Sequence, residues 1–548
     1  MANKAVVDGR ESKLWFRSST ILKLLFVLAA SLLLFPVLAE LRLPLTFDDA
    51  FMFWRYAVHV RDGLGMAWNP DGIPTYGLTS QLWVWWILPF TATSLTPDLS
   101  LKLASMVTGL AGMGAIPWAA WIGRGKPAAQ VAGILALLLL VIGPFSYHLT
   151  TGMDTMLSFL TNIALIAAAL AWRHGAFRST LLVGLAAFVT ILARPENVLV
   201  AFGVPLLMWL LVLPQRRFGD ILTALGIPAA LLIVDLTVSH FVYGTVLPLS
   251  FYAKSGASYA GFINRETPLR YFAISLPAAL PALTLLTAFG RSRALLVLAM
   301  TLPVVATFLY LVTVRQVMGF EGRYFIPFLP FILIPAAIAA ADNCSQRARV
   351  ALPLGLLCSA LLILQLGQPL VERANSAWLR MRLPTPITAP QPATRAAAPL
   401  PKLPPGEAWA IVANRIVARL PAHTVIAASE VGMAGAAAPD VTVIDLAGLN
   451  DQEIGLQGFS AVHLVRRAPA LIWLPHDDYT GARAALLGDA EFRRHYRLIA
   501  GAFDYGVAIR LDAPDRRQIE RIVVRAWHET YPGSDIGDYI AQWPRLNR

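Results

Sequence analysis

The chain has 548 residues, of which 57% are hydrophobic and only 14% charged, with 45 Lys and Arg against 33 Asp and Glu. A soluble globular protein is about 25% charged, so this chain cannot cover its own surface with polar groups. Its mean hydropathy of +0.59 and its repeated apolar runs mark a polytopic membrane protein and exclude a disordered, collagen-like or disulfide-stapled chain. The net charge of +12 sits largely in short loops between apolar runs, where it orients the chain and implies no nucleic-acid partner. Cys344 and Cys358, the only cysteines, build neither a disulfide framework nor a thiolate metal site.

Lys4, Arg10, Lys13, Arg17 and Lys23 surround an apolar run from about Ile21 to Ala39. It lacks a small-residue cleavage site and reads as an uncleaved first helix entering from the cytoplasm. Ten further apolar runs follow, near 99–122, 128–147, 153–172, 179–194, 197–213, 220–241, 270–289, 294–313, 325–341 and 350–368, which makes eleven membrane helices. Leu82–Phe90 is apolar but short, and its three tryptophans suit the headgroup level. If it does not cross, the loops holding Arg124 and Lys126, Arg173 and Arg178, Arg216 and Arg217, Arg291 and Arg293, and Arg347 and Arg349 all fall inside, as the positive-inside rule requires.

An inside start and eleven spans put everything after about Gln368 outside. Residues 1–370 then form the transmembrane domain, with an outer-face amphipathic segment at 46–92. Residues 371–405 form a linker, with eight prolines in its 384–405 part, a composition that favours an extended spacer. Short β-like runs such as VTVIDL and ALIWLP beside helical periodicity in AWAIVANRIVARL give 406–548 as an exported α/β or α+β domain.

The polar residues least like solvation gather on the outer side. Thr46 and Asp49 have capping-box spacing, which starts a helix lying along the membrane surface. On it, Asp48, Met52, Arg55, His59 and Asp62 share a side, and Arg55 is placed to offset the acid pair Asp48 and Asp49; the acids alone also suit a helix N-terminus. Asp154 precedes a membrane helix, as a cap or as an acid of a polar site. In ARPEN, Pro195 breaks the helix and Arg194 and Glu196 are placed to pair. SFYAKSG presents Tyr252 and Lys254, and RQVMGFEGRYF presents Arg315, Glu321, Arg323 and Tyr324. Cations facing outward run against the positive-inside trend and suit an anion. Such a mixture fits a lipid-linked phosphosugar: cations hold the phosphate and stabilise its departure, and an aspartate takes the proton of the attacking hydroxyl. No P-loop, HExxH, nucleophile elbow or dinucleotide fingerprint occurs.

The ordered set DDAFMFWRYAVHVRDGLGMAWNPDG, TSQLW, TGMDTML, ARPENVLV, LPLSFYAKSG, GRYFIPFLP and ASEVGMAGAAAPDVTVIDLAGLND resembles the polyprenyl-phosphate-dependent arabinofuranosyltransferases of the C-type glycosyltransferase superfamily, in particular the mycobacterial terminal β-1,2-arabinofuranosyltransferase type. The resemblance spans about Thr46 to Asp451. It implies a C-type glycosyltransferase fold and an inverting transfer of arabinofuranose from a polyprenyl-phosphate donor to a surface polysaccharide or protein acceptor, at the outer face of the cytoplasmic membrane. It implies that Asp48 is the base and Asp49 its orienting partner or second acid. The outer segments themselves give Arg55, Arg194, Tyr252, Lys254, Arg323 and Tyr324 as the residues expected to meet donor phosphate or sugar, and His59, Asp154, Glu196, Asp445 and Asn450 as further site candidates. The chain departs from the family at Asp154 (usually Glu), at TYGLTSQ over 75–81 (usually EGYTN-like) and at Asn197 (often Gly), so the sugar is the least secure inference. A hexosyl donor such as a mannosyl phospholipid, a lipid-linked sugar transporter and a glycan-binding assembly protein are the alternatives. Two acids invite a divalent metal, but Arg and Lys alone suffice for a monophosphate leaving group, so no cofactor is required.

Overall fold

A computed structural model describes residues 37–38, 40–41, 45, 47–141, 143–173, 175–213, 217–255, 266–313, 320–342, 400–403, 406–476 and 479–541. The expected first span (21–39), last span (350–368) and proline-rich spacer lie outside the described residues but for a few at their ends. The helices used below are α1 Asp48–Arg61, α2 Gln81–Ile87, α3 Pro97–Arg124, α4 Lys126–Val141, α5 Thr155–Leu170, α6 Phe177–Ala193, α7 Val198–Leu207, α8 Phe218–Tyr243, α9 Leu249–Ser255, α10 Glu266–Phe289, α11 Ala294–Thr313, α12 Pro330–Asp342, α13 Gly432–Ala437 and α14 Arg516–Thr530.

Each expected span that falls within the described residues is helical. Pro97–Arg124, Pro195–Val212, Phe218–Tyr243 and Phe272–Val312 are long and apolar enough to cross a membrane, and shorter apolar helices cover 126–140, 155–170, 177–193 and 326–342. Their ends follow ordinary capping chemistry. The Thr96 hydroxyl accepts from Leu99 N, Pro97 occupies the first turn of α3, and Gly244 closes α8 in the left-handed region at φ 73°. Helix α2 has seven residues, about 10 Å of rise, far short of a hydrocarbon core of about 30 Å. With the 3-10 turn Leu88–Ala92 that continues it, the stretch reaches about 20 Å, still shorter than that core. Trp83 is buried and donates to Gly152 O at 3.1 Å, while Trp85 and Trp86 stay exposed.

The bundle has two chemically distinct ends. At one, Arg124 from α3 and Arg293 from the α10–α11 turn both pair with Asp342 at the end of α12. The other end carries α1 and the C-terminal domain. That domain is a mixed five-stranded sheet, β1 Val425–Ala428, β2 Thr442–Asp445, β3 Leu471–Trp473, β4 Tyr496–Ile499 and β5 Val507–Arg510, in the order β2-β1-β3-β5-β4. β1 runs parallel to β2 and β3, whereas β5 is antiparallel to both β3 and β4. Parallel pairs need crossovers, and α13 lies in the one between β1 and β2.

Helix α1 departs from expectation. It begins after Phe47 with no side-chain cap, and Thr46 lies outside the described residues. It is not an amphipathic helix resting on lipid, because every residue from Ala50 to His59 is buried. One hydrophobic core unites Tyr56, Trp68 and Trp83 with Ile426, Met433, Val443 and Trp527 of the domain. Four of the five residues expected to share a side, Asp48, Met52, Arg55 and His59, make contacts with the domain, whereas Asp62 is exposed and pairs with Arg61. Docking is close enough to require glycine. A Cβ on Gly432 would fall 1.9 Å from Asp48 O, and one on Gly77 would fall 2.1 Å from Asn450 Oδ1.

Because that backbone cannot retreat without opening the joint, Gly432→Ala should cost at least the roughly 1–3 kcal/mol typical of overpacking. Limited proteolysis should then release residues from about 406 onward, whereas Gly481→Ala, at a position with nothing within 4 Å, should leave the cleavage pattern unchanged. Equal protease resistance in both variants would contradict the close approach.

Candidate functional site

The two acids of α1 diverge. Both Asp48 oxygens accept from the N-terminus of α13, Oδ2 from Gly432 N at 2.7 Å and Oδ1 from Met433 N at 2.8 Å. Asp48 thus caps a helix of the C-terminal domain instead of its own, where an N-terminal dipole favours a carboxylate. Burial and the neighbouring Asp49 charge nonetheless outweigh these bonds and push its carboxyl up to about 6. Asp49 points into the bundle, and its Oδ2 accepts from Arg323 Nη1 at 3.1 Å. Its side chain is 36% exposed, so it is reachable where Asp48, at 7%, is not.

Arg323 belongs to a cluster assembled from five segments. It donates through Nη2 to the Tyr324 hydroxyl at 3.0 Å, and its guanidinium lies over the rings of Tyr324 and Phe47. Glu321 holds φ at 52° just before Gly322 at 73°. That left-handed non-glycine residue carries strain of order 1–3 kcal/mol and sets the turn that delivers Arg323. Arg194 also lies over the Tyr324 ring, 4.6 Å from its centroid. It precedes Pro195, which forces it out of helix into extended backbone and turns its side chain onto Asp154 Oδ1 at 3.3 Å and Glu196 Oε1 at 2.7 Å.

Asp154 occupies the cap position of α5 but makes no side-chain cap bond, so the ion pair and not capping explains it. Burial raises its carboxyl, and Arg194 and Arg323 offset this only in part. Burial also works against the Tyr324 phenolate, but Arg323, Lys254 and Arg194 together pull the phenol below its ordinary value. Lys254 on α9 is therefore close enough for its charge to act at the cluster. Three cations, Arg194, Lys254 and Arg323, face three acids, Asp49, Asp154 and Glu196. One donor remains in hand: Arg323 Nε is buried and has no hydrogen-bond partner among the described residues.

Four expected site residues lie elsewhere. Arg55 does not offset the acid pair; it donates to Trp68 O (2.6 Å), Gly435 O (2.6 Å), Ala438 O (3.1 Å) and Val441 O (2.7 Å), so its donors are committed to backbone carbonyls and cannot grip a donor phosphate. The His59 ring lies between Ala67 O and Pro439 O. Asp445 accepts from Ala447 N, Asn450 N and Asn450 Nδ2, which is turn chemistry, and Asn450 meets the Tyr56 hydroxyl across the joint at 3.1 Å. Tyr252 lies on α9 with Lys254, and Arg315 is outside the described residues. The sequence reading missed Phe47 and Asn69. The Asn69 amide oxygen accepts from Val443 N at 2.8 Å, and no spacing pattern signals it. Asn197 is structural: it donates to Ser158 Oγ at 2.9 Å and Thr190 O at 2.8 Å, tying α5 and α6 together beneath the cluster. Among the described residues no group of three His, Cys, Asp or Glu is placed to hold a metal.

Residues 406–522 match a family described as a domain of unknown function (DUF8728). The chain matches no curated protein. Among solved structures it is similar to ArnT from Cupriavidus metallidurans, in the apo state, at 15% identity, with 90% of this chain and 98% of that one covered and a TM-score of 0.51. At that identity the likeness concerns the fold, and it extends over both the helical bundle and the C-terminal domain.

Two outcomes follow from this geometry. Arg194→Ala leaves Asp154 and Glu196 buried without their cation, and breaking such a pair costs about 3–5 kcal/mol; a thermal unfolding midpoint within a degree of wild type would refute the pairing. The second concerns pH. Carboxyls raised in the folded state, Asp48 to about 6 and Asp445 to about 7, bind protons more tightly folded than unfolded. Their contribution to stability is full below about pH 4, the ordinary carboxyl range, and is lost as pH rises through 6 to 7. The thermal unfolding midpoint should accordingly fall between pH 5 and pH 8, and a rise over that interval would contradict the assignment.

Proposed function

We propose that this protein is an inverting membrane glycosyltransferase that moves a sugar from a polyprenyl-phosphate donor to an acceptor presented outside the cytoplasmic membrane. The observation that carries the reading is Arg323. It is a buried arginine at the outer end of the bundle, paired with Asp49 and beside Arg194 and Lys254, and it keeps one buried N–H without a partner. Such a group is matched by an anion that arrives with its own apolar anchor. The fold shared with ArnT and the motif resemblance support the same reading. The motif set favours arabinofuranose as the transferred sugar.

In the reaction, the acceptor hydroxyl attacks the anomeric carbon as the bond from that carbon to the phosphate oxygen breaks, inverting configuration. The polyprenyl phosphate leaves with its charge held by Arg323, Arg194 and Lys254, where fixed charges need no reorganisation. The acceptor proton passes to a carboxylate. A general base must reach its proton, and the reachable acid is Asp49. Asp48 then acts as the latch that aims α1, a reversal of the roles that the motif resemblance implies. Arg55, His59 and Asn450 support the joint and do not hold donor.

The test is release of polyprenyl phosphate from a short-chain polyprenyl-phosphate arabinofuranose by the purified full chain, with and without an oligosaccharide acceptor. Asp49→Asn should keep donor affinity and a protease-resistant joint while turnover falls about 10²- to 10⁴-fold. Asp48→Asn should loosen the joint, because an amide presents an N–H to one of two backbone donors. If Asp48→Asn stays docked and inactive while Asp49→Asn turns over normally, Asp48 is the base. No acceptor-dependent release from any polyprenyl-phosphate sugar would overturn the transferase reading.

A further inference from the structure

Helix α14 carries a charge pattern that neither the cluster nor the joint uses. Its apolar stripe, Ile519, Val523, Ala526 and Trp527, is buried in the domain core. On the opposite side Arg517, Arg521 and Arg525 are exposed at four-residue spacing, which places three guanidinium groups in one row with about 6 Å of rise between them. The two glutamates of the helix are already engaged. Glu520 accepts from Arg516 and Arg497 on one flank, and Glu529 pairs with Arg525, Arg415 and Arg419 on the other. With Asp515 at the start of the helix, seven arginines meet three acids around α14, a local excess of four positive charges.

We propose that this face binds a polyanionic polysaccharide, one bearing carboxylates along its length, and so holds the acceptor strand for the cluster. Three observations select that occupant. The basic groups are all arginine, whose planar fork matches carboxylate oxygens in pairs, and a row of evenly spaced charges fits a linear repeating polyanion better than a single small ion. An anionic membrane is the lesser match, since surface helices insert aromatic or aliphatic side chains beside their basic ones, and the apolar stripe of α14 is enclosed by the domain. Position agrees as well: α14 packs on residues 412–416 and β5, whereas α13 docks on α1, so the arginine row stands away from the joint and is free to receive a chain from outside.

The role as acceptor holder rests on the transferase reading; binding itself does not, and it is measured without donor. Full-length protein in neutral-lipid nanodiscs is titrated with polygalacturonate, with neutral dextran and with vesicles containing anionic lipid. Wild type should bind polygalacturonate in a salt-sensitive way and ignore dextran. R517Q/R521Q/R525Q should lose at least tenfold in affinity and much of the salt dependence, with an unchanged thermal midpoint because all three side chains are exposed. Polygalacturonate affinity equal in wild type and triple variant, absence of binding by wild type, or arginine-dependent binding to vesicles alone would each overturn the proposal, the last by making the face a membrane tether. Loss of polygalacturonate binding together with normal transfer to a neutral acceptor would separate this face from the catalytic reading and leave the latter standing.

Discussion

Consecutive residues of an α-helix point about 100° apart, so two adjacent carboxylates at a helix start cannot turn to the same partner. In this protein that constraint joins the two halves of the molecule. Asp48 takes two backbone N–H groups from the C-terminal domain, and one residue later Asp49 takes the Arg323 guanidinium from the bundle. Any rotation of α1 that improved one contact would break the other. The many contacts around the joint serve to hold that rotation. Arg55 alone bonds four backbone carbonyls, one in its own segment and three in the domain, and glycine at 432 and 77 lets the backbones approach.

The same geometry explains how charge is tolerated at the cluster. A buried ion pair is expensive unless its remaining valences are filled. Arg194 is braced on two sides by Asp154 and Glu196 and covered by the Tyr324 ring. Arg323 shares Asp49, the Tyr324 hydroxyl and two aromatic faces, yet keeps Nε unfilled. A fully satisfied cluster would be a structural element and nothing more. The unfilled donor, delivered by a left-handed Glu321, is the feature that a purely structural account leaves over.

Much of the scaffold was legible in the sequence because apolar runs report burial in lipid directly, and the expected spans from 99 to 341 fall on helices, whereas the short α9 was not expected. The loop cations were legible as candidates for the complementary reason, since Arg and Lys in loops that the charge pattern assigns to the outer side run against the trend. Pairing was not legible. The partners of Asp48 lie 384 and 385 positions away, and no periodicity links them. Arg55 misled because its place on the helix side of Asp48, two turns further on, suggested a local ion pair, when the carbonyls of an incoming domain compete for the same guanidinium. Asp154 and Asp445 show the two ways an isolated acid resolves: a distant arginine claims the first, and its own turn claims the second.

The claim on which the rest depends is that Arg323 receives the phosphate of a lipid-linked donor. A cryo-EM map of the full chain in nanodiscs with short-chain polyprenyl phosphate tests it directly. The account predicts phosphate density within hydrogen-bonding distance of Arg323 Nε, flanked by Arg194 and Lys254, with Asp49 still paired across the cluster. Phosphate density at any site that does not touch Arg323 would contradict it.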